Sequence, residues 1–209
     1  MTEKPYHHGD LRAALLAAGE AELTEKGVEG FSLRAVAKRA GVSHAAPAHH
    51  FGDKTGLLTE LAAQVLGERV EQAEAAKLAA GPDPLDQLKA CGMAHIDFLI
   101  SHPRLEGLCW RDNMIDRADP IMQEVLQRMS SDLIETMSAA TGKTLVPDKE
   151  ANASTLLAIA VVHGFAQLVN ERIILNAVPV HERRERALAM ADEVLDLLGA
   201  AFASADPLP

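Results

Sequence analysis

Aromatic residues and cysteines are both scarce in this chain of 209 residues. Aromatic side chains make up 3% of the sequence, and Cys91 and Cys109 are its two cysteines. Two cysteines do not form the disulfide framework of a small secreted domain. The first ten residues are polar and lack the apolar segment that follows the basic start of a signal peptide. Both absences lead us to expect a reducing, cytoplasmic location.

Motifs that carry catalysis or hold metals are also missing. None of the nine histidines has a glutamate three residues before it, as the di-iron sites of helical bundles require. There is no H-E-x-x-H, no phosphate-cradling glycine loop and no Cys-x-x-Cys. We therefore expect no enzymatic activity, no catalytic residue, no cofactor and no metal site.

Hydrophobic residues make up 48% of the chain, and alanine and leucine are the most frequent of them. Such a composition favours helices over sheets. The longest uncharged stretch, residues 151–170, is close to the length of a membrane span. It contains Asn152, Ser154, His163 and Gln167. We interpret it as a buried helix and expect no membrane partner.

The net charge of −10 argues by itself against a nucleic-acid partner. The charges are distributed unevenly along the chain. Residues 1–60 carry seven Lys/Arg and eight Asp/Glu, whereas residues 61–209 carry thirteen and twenty-two. A surface of the nearly neutral first part could still be locally positive if its acidic side chains lie elsewhere.

Apolar residues recur at helical spacing between the glycines and prolines, which predicts an all-α fold of about nine helices. The predicted helices span about 10–26, 32–40, 44–50, 53 onward, 85 onward, 103–111, 121–141, 149–175 and 181–203. We expect Gly27 to follow the first helix at its C-terminal end.

Two short helices joined by a tight turn are predicted between residues 31 and 54. This arrangement has the geometry of a helix-turn-helix, at about 32–51. Ala37 and Gly41 are small enough for the helices to approach closely, and Gly41 accepts the left-handed backbone that ends the first one. Ser32 and Ser43 are the predicted N-caps of the two helices.

The same segment resembles the tetracycline-repressor family of bacterial regulators. The residues that carry the resemblance are Leu16, Ala18, Gly27, Phe31-Ser32-Leu33, Val36-Ala37, Ala40-Gly41-Val42-Ser43, His50-Phe51, Lys54 and Leu57-Leu58. The resemblance implies a three-helix DNA-binding domain at 1–54 and a larger helical domain for ligand binding and dimerisation at 55–209.

The resemblance also implies which residues bind DNA. They are Ser32, Arg34, Ser43, His44, Ala45, Ala48, His49, His50 and Lys54. Ser32 and Lys54 would contact phosphates, and Ala45 a thymine methyl group. Two positions depart from the family pattern: many relatives have a tyrosine where Ala48 lies, and Pro47 lies at about the fourth position of the predicted recognition helix.

The last two helices are expected to pair with those of a second subunit and to form a homodimer. Adaptable apolar side chains suggest a pocket for a hydrophobic effector, although ordinary core packing explains them equally well. The candidates are Met93, Ile96, Leu99, Leu108, Cys109, Trp110, Met114, Met122, Val125, Met129 and His163. Val162-His163-Gly164 also resembles the Trp-His-Gly signature of one subgroup of the family, with valine in place of tryptophan.

The function implied by the resemblance is that of a transcriptional repressor. It would bind a near-palindromic DNA operator and be released by a small effector. The alternative is a helical small-molecule-binding or protein-interaction dimer whose degenerate helix-turn-helix no longer binds DNA. The sequence leaves open whether the regulator represses or activates, and which molecule is its effector.

Overall fold

The computed structural model describes residues 8–145 and 153–204, with side chains from residue 11 onward. Over these residues the fold is all-α, as predicted, with nine helices and no strand. The helices are α1 (His8–Gly30), α2 (Leu33–Ala40), α3 (Ala46–Phe51), α4 (Lys54–Ala79), α5 (Pro84–Ser101), α6 (Pro103–Cys109), α7 (Pro120–Thr141), α8 (Ala153–Asn170) and α9 (Val180–Ser204).

The chain forms two compact units. The first comprises Met1–Leu66 and Arg104–Val125, and the second comprises Gly67–Pro103 and Leu126–Pro209. The predicted boundary after residue 54 therefore falls inside the first unit. Its position coincides with the start of α4, which continues without a break to Ala79.

The first unit is held together by leucines that α1 and α4 bury completely. Leu15, Leu23, Leu57 and Leu58 are each 0% exposed. Full burial of one such side chain stabilises a fold by roughly 1.5–3 kcal/mol. Gly27 has φ 71° and interrupts α1 near its end, as the sequence predicts.

In the second unit, α5 packs against α8 and α9. Their shared core includes Ile96, Phe165, Ala191 and Leu195, all of them buried. An ideal Cβ on Gly92 would lie 3.0 Å from the side chain of Leu195, so glycine permits α5 and α9 to approach closely. The ion pair between Lys89 and Asp196 (2.6 Å) also joins these two helices.

The eighth helix ends earlier than predicted. It stops at Asn170 rather than near Leu175, and its predicted start at 149–152 lies outside the described residues. Arg172 has φ 58°, its N–H donates to the carbonyl of Val169, and the N–H of Ile173 donates to that of Leu168. These two bonds form a Schellman ending, which normally requires glycine. The sequence offers no glycine or proline here to predict it.

By length and composition alone, α8 could cross a membrane, and 28% of it is buried within the chain. Leu156 and Leu157 are 55% and 46% exposed. The helix that the sequence predicts to be buried is therefore covered on only one side by the described part of this chain. The other side is left as an apolar face.

Candidate nucleic-acid interface

The segment that joins α2 to α3 has the geometry of a helix-turn-helix. Ser32 caps α2, because its hydroxyl accepts a hydrogen bond from the N–H of Ala35 at 3.2 Å. Gly41 ends α2 with φ 70° and ψ 30°, and its N–H donates to the carbonyl of Lys38. Val36 and Ala37 are fully buried where the helices meet. The predicted Ser32 cap and the left-handed Gly41 are both confirmed.

The predicted cap at Ser43 is wrong. The N-cap of α3 is Ala45, which has no side-chain capping bond, and the N–H of Ala46 donates to the backbone carbonyl of Ser43 at 3.0 Å. The recognition helix therefore begins two residues later than predicted. Pro47 consequently lies in its first turn, where a backbone N–H has no helical acceptor to lose. Pro47 is therefore the second residue of α3 rather than about the fourth, and the helix starts later than predicted.

Most of the predicted DNA-binding residues lie on the surface of the first unit. The exposed ones are Ser32, Arg34, Ser43, His44, Ala45, Ala48 and His49, whereas His50 and Lys54 are partly buried. His49 and His50 lie edge to face, with ring centroids 5.6 Å apart. The surface of α3 thus offers small and imidazole side chains.

Lys54 makes contacts within the first unit. Its Nζ atom donates to the carbonyl of Val28 at 3.4 Å and lies 5.7 Å from the ring centroid of Phe31. This amine therefore ties the start of α4 to the end of α1. A phosphate contact by Lys54 stays a prediction.

A second exposed cation on α2, Lys38, was missed by the sequence reasoning. It lies four residues after Arg34, so the two share one face of the helix. Neither forms an ion pair with any residue that the structure describes. Arg39, by contrast, pairs with Glu22 (3.1 Å) and Glu25 (2.5 Å).

Glu25 illustrates how the acidic side chains of this unit are neutralised. It also pairs with Lys26 at 2.7 Å, and hydrogen bonds from Lys26 and then Arg39 lower the pKa of its carboxyl to about 2. Glu22 and Glu25 of α1 are thus paired with cations of α1 and α2. The i, i+4 spacing of Arg34 and Lys38 is the feature of the sequence that indicates two cations on one face of α2.

Arg12 of α1 holds the end of the recognition helix. Its Nη1 donates to the carbonyl of His50 at 3.0 Å, its guanidinium lies 4.8 Å from the ring centroid of Phe51, and it also pairs with Glu60 of α4. Burial, more than any other influence, raises the pKa of Glu60. No sequence motif marks Arg12, because its partners lie about 40 to 50 residues away along the chain.

Residues 104–125 pack with the helix-turn-helix as part of the same unit. Arg104 of α6 donates to the carbonyls of Thr24 and Glu25 at 2.7 and 2.6 Å, and so caps the last regular turn of α1. Arg111 pairs with Glu29 at 2.5 Å. The unit that contains the helix-turn-helix therefore also includes residues 104–125, which lie within the predicted ligand domain at 55–209.

The predicted effector residues are divided between the two units. The second unit contains Met93, Ile96, Leu99, Met129 and His163, and the first contains Leu108, Cys109, Trp110, Met114, Met122 and Val125. Met93 lines an open, mainly apolar groove of about 470 Å³ together with alanines of α4 and α5. Trp110 is 51% exposed, and its Nε1 donates to Glu106 at 2.5 Å.

His95 is a partly buried histidine of the second unit that the sequence reasoning missed. Its Nδ1 atom lies 3.1 Å from the carbonyl of Cys91. Burial is the main cause that lowers its pKa to about 4, and the charge of Arg69 and the proximity of His163 act in the same direction. Polar groups of α4, α5 and α8 therefore meet around this imidazole.

Comparison with known proteins supports this interpretation of the site. The family model described as "Bacterial regulatory proteins, tetR family" matches residues 15–61. The transcriptional regulator BetI of Burkholderia cenocepacia is 30% identical over 193 residues, which cover 90% of this chain and 93% of that protein. A Rhodococcus sp. RHA1 protein of unknown function is 30% identical, with TM-score 0.72 over 96% of this chain and 97% of its own. FadR of Bacillus subtilis, solved with stearoyl-CoA, shares the fold at 14% identity, TM-score 0.64, 90% of this chain and 97% of its own.

Proposed function

This chain belongs to the tetR family of bacterial regulatory proteins, and from that premise we propose that it represses transcription from a near-palindromic operator. Like its relatives, it is a DNA-binding transcriptional regulator and not an enzyme. The proposal places it in the cytoplasm, where bacterial DNA is accessible. The observation that carries the proposal is the exposed face of α2 and α3, where Arg34 and Lys38 form no ion pair with any described acid.

On this face, Arg34 and Lys38 are placed to bind phosphate oxygens along one strand. Ala48 and His49 of α3 are exposed for the major groove. Phosphate contacts supply much of the affinity of a DNA-binding protein and make that affinity depend on salt. The alternative of a dimer with a degenerate helix-turn-helix is not favoured, because it gives these unpaired cations no role.

The test is DNA binding at several salt concentrations by Arg34→Gln, Lys38→Gln and the double variant. The slope of log K against log salt is negative, and each phosphate contact that is lost should make it shallower by about 0.9. Arg128→Gln is a matched control, because it removes the same charge from an exposed position on α7. Unchanged slopes in the α2 variants, or an equal change in the control, would contradict the proposed face.

We propose that the exposed apolar faces of α8 and α9 form the dimer contact. Leu156, Leu157 and Ile159 of α8 are 55%, 46% and 37% exposed, and Met190 and Leu197 of α9 are 39% and 72% exposed. Burying such a face against its symmetry mate forms an isologous interface. The resulting dimer would present two recognition helices to successive major grooves, about 34–36 Å apart.

Replacing Leu197 by Asp tests the dimer, because it places a carboxylate in the proposed interface while Leu197 is largely exposed in the single chain. Analytical sedimentation should show a weaker dimer, whose dissociation constant is much higher than that of wild type. Leu78→Asp is the matched control, since Leu78 is 82% exposed on α4. A Leu197→Asp protein that stays dimeric at the same concentrations would refute this interface.

The effector is proposed to bind in the second unit, beside Met93, Ile96, Leu99, Met129 and His163. FadR of Bacillus subtilis holds stearoyl-CoA in the same fold, which supports an apolar effector. The six candidate residues of the first unit stay a prediction. Release of operator DNA by a compound tests this placement, and Met129→Ala should weaken the release without changing DNA affinity in the compound's absence.

A further inference from the structure

An open cavity of about 240 Å³ lies where α8 ends and α9 begins, within the second unit. Arg172, Arg183 and Arg184 line it. Three arginines around one cavity are unusual in a chain whose net charge is −10. Their partners therefore show whether the cavity carries a positive charge.

Among the described residues, one of the three arginines has an ion-pair partner and two have none. Arg184 donates two hydrogen bonds to the carboxylate of Asp97, at 2.7 and 2.6 Å. Arg172 and Arg183 form no ion pair with any residue in the described part of the chain. The cavity thus has two guanidinium groups that pair with no carboxylate among the described residues.

Arg183 also has an incomplete set of hydrogen bonds. Its Nη2 donates to the carbonyl of Val178 at 3.1 Å, whereas its Nε is buried and has no acceptor among the described residues. Buried N–H groups in folded proteins almost always have an acceptor, and an exception calls for an explanation such as a bound ion or water. A hydrogen-bond acceptor bound in the cavity would complete the hydrogen bonds of the Arg183 side chain.

The backbone at Arg172 supports the same interpretation. Arg172 has φ 58° at the C′ position after α8, which glycine occupies at least conformational cost. The backbone conformation at this position therefore favours glycine, yet the residue is an arginine. That side chain lines the cavity.

The start of α9 adds to the positive potential. Arg183 and Arg184 lie in the first turn or so of this helix of 25 residues, which begins at Val180. The N-terminal end of a helix carries partial positive charge and favours anions rather than cations. The arginines and the helix terminus therefore act in the same direction on anything bound between them.

We propose that this cavity binds a small organic anion whose carboxylate or phosphate oxygens lie between Arg172 and Arg183. The lining also includes the apolar side chains of Ile100, Val169 and Val180, which suits a short hydrocarbon portion. The volume is below the roughly 300–1,000 Å³ of drug-sized ligand sites, so the ligand has few carbons. The site does not depend on the proposed DNA-binding function.

Isothermal titration calorimetry at constant ionic strength tests the site with butyrate, inorganic phosphate and the neutral analogue butyramide. We expect saturable binding of butyrate, weaker or comparable binding of phosphate, and none of butyramide. Tighter binding of phosphate than of butyrate would assign the site to phosphate-bearing ligands. Saturation by neither anion at millimolar concentration would overturn the proposal.

Arg172→Gly is the informative variant, because glycine suits the φ of 58° and the fold should be at least as stable. We expect at least tenfold weaker anion binding with an unchanged or higher melting temperature. Arg186→Gln, which changes an exposed α9 arginine outside the cavity, should bind as wild type. Equal weakening in both variants would refute a specific site. Dissociation of the dimer by Arg172→Gly, without anion binding by wild type, would assign the arginines to the partner subunit instead.

Discussion

Replacing Gly56 by alanine should loosen the junction between the recognition helix and α4. An ideal Cβ at this position would lie 2.0 Å from the carbonyl oxygen of Phe51 and 3.2 Å from its carbon. Since ordinary contacts begin near 3.4 Å, the start of α4 must move away from α3 by more than 1 Å. The N–H of Gly56 donates to Asp53 at 2.9 Å, and this capping bond would be strained by the same movement.

The expected cost combines three contributions. Overpacking costs about 1–3 kcal/mol, and a weakened cap costs about 1 kcal/mol. The better helix propensity of alanine returns about 1 kcal/mol. The free energy of unfolding should therefore fall by about 2 kcal/mol, or by roughly 4–8 °C in melting temperature for a chain of this size.

Urea unfolding at one fixed protein concentration measures the effect, because the stability of a dimer depends on concentration. Gly107→Ala is the matched control in the same unit, since its added Cβ would meet nothing within 4 Å. The control should be as stable as wild type or slightly more so. If Gly56→Ala unfolds at the same urea concentration as wild type, the close approach of α4 to Phe51 is not a constraint of this fold.

Two further outcomes follow from the geometry. The pKa of His95 is about 4 in the folded chain and near 6.5 when unfolded, so its contribution to stability is complete above pH 6.5 and is lost as the pH falls to 4. That loss amounts to about 3 kcal/mol in the free energy of unfolding. Chemical denaturation between pH 6.5 and pH 4 should show this fall in wild type and a smaller fall in His95→Gln. Arg12→Gln should weaken DNA binding several-fold while leaving its salt slope unchanged, because Arg12 positions α3 through the carbonyl of His50. A reduced slope in that variant would mean that Arg12 contacts phosphate directly.

Local rules predicted the elements of the helix-turn-helix better than its exact register. The Ser32 cap and the left-handed Gly41 depend on neighbouring residues, and both are confirmed. Ser43 obeys the same capping rule in sequence but is not the cap. The fixed φ of Pro47 suits the first turn of a helix, so it competes with Ser43 in setting where α3 begins.

Contacts between distant residues could not be predicted from one sequence. Arg104 reaches two carbonyls of α1 about 80 residues away, and this contact belongs to the unit that contains the helix-turn-helix. The periodicity of α6 predicted a short helix but not the surface it packs on. For the same reason the eleven candidate effector residues, chosen by chemical type, are divided between two units.

Footprinting of the purified protein on DNA that flanks its gene, at several salt concentrations, tests the central claim most directly. We predict one protected near-palindrome, whose two halves lie about one helical turn apart. Its affinity should fall steeply with salt, and the Arg34→Gln, Lys38→Gln double variant, which removes these contacts from both subunits, should make the slope of log K against log salt shallower by up to about 3.6. Equal protection by wild type and the double variant, with the same salt slope, would contradict the account.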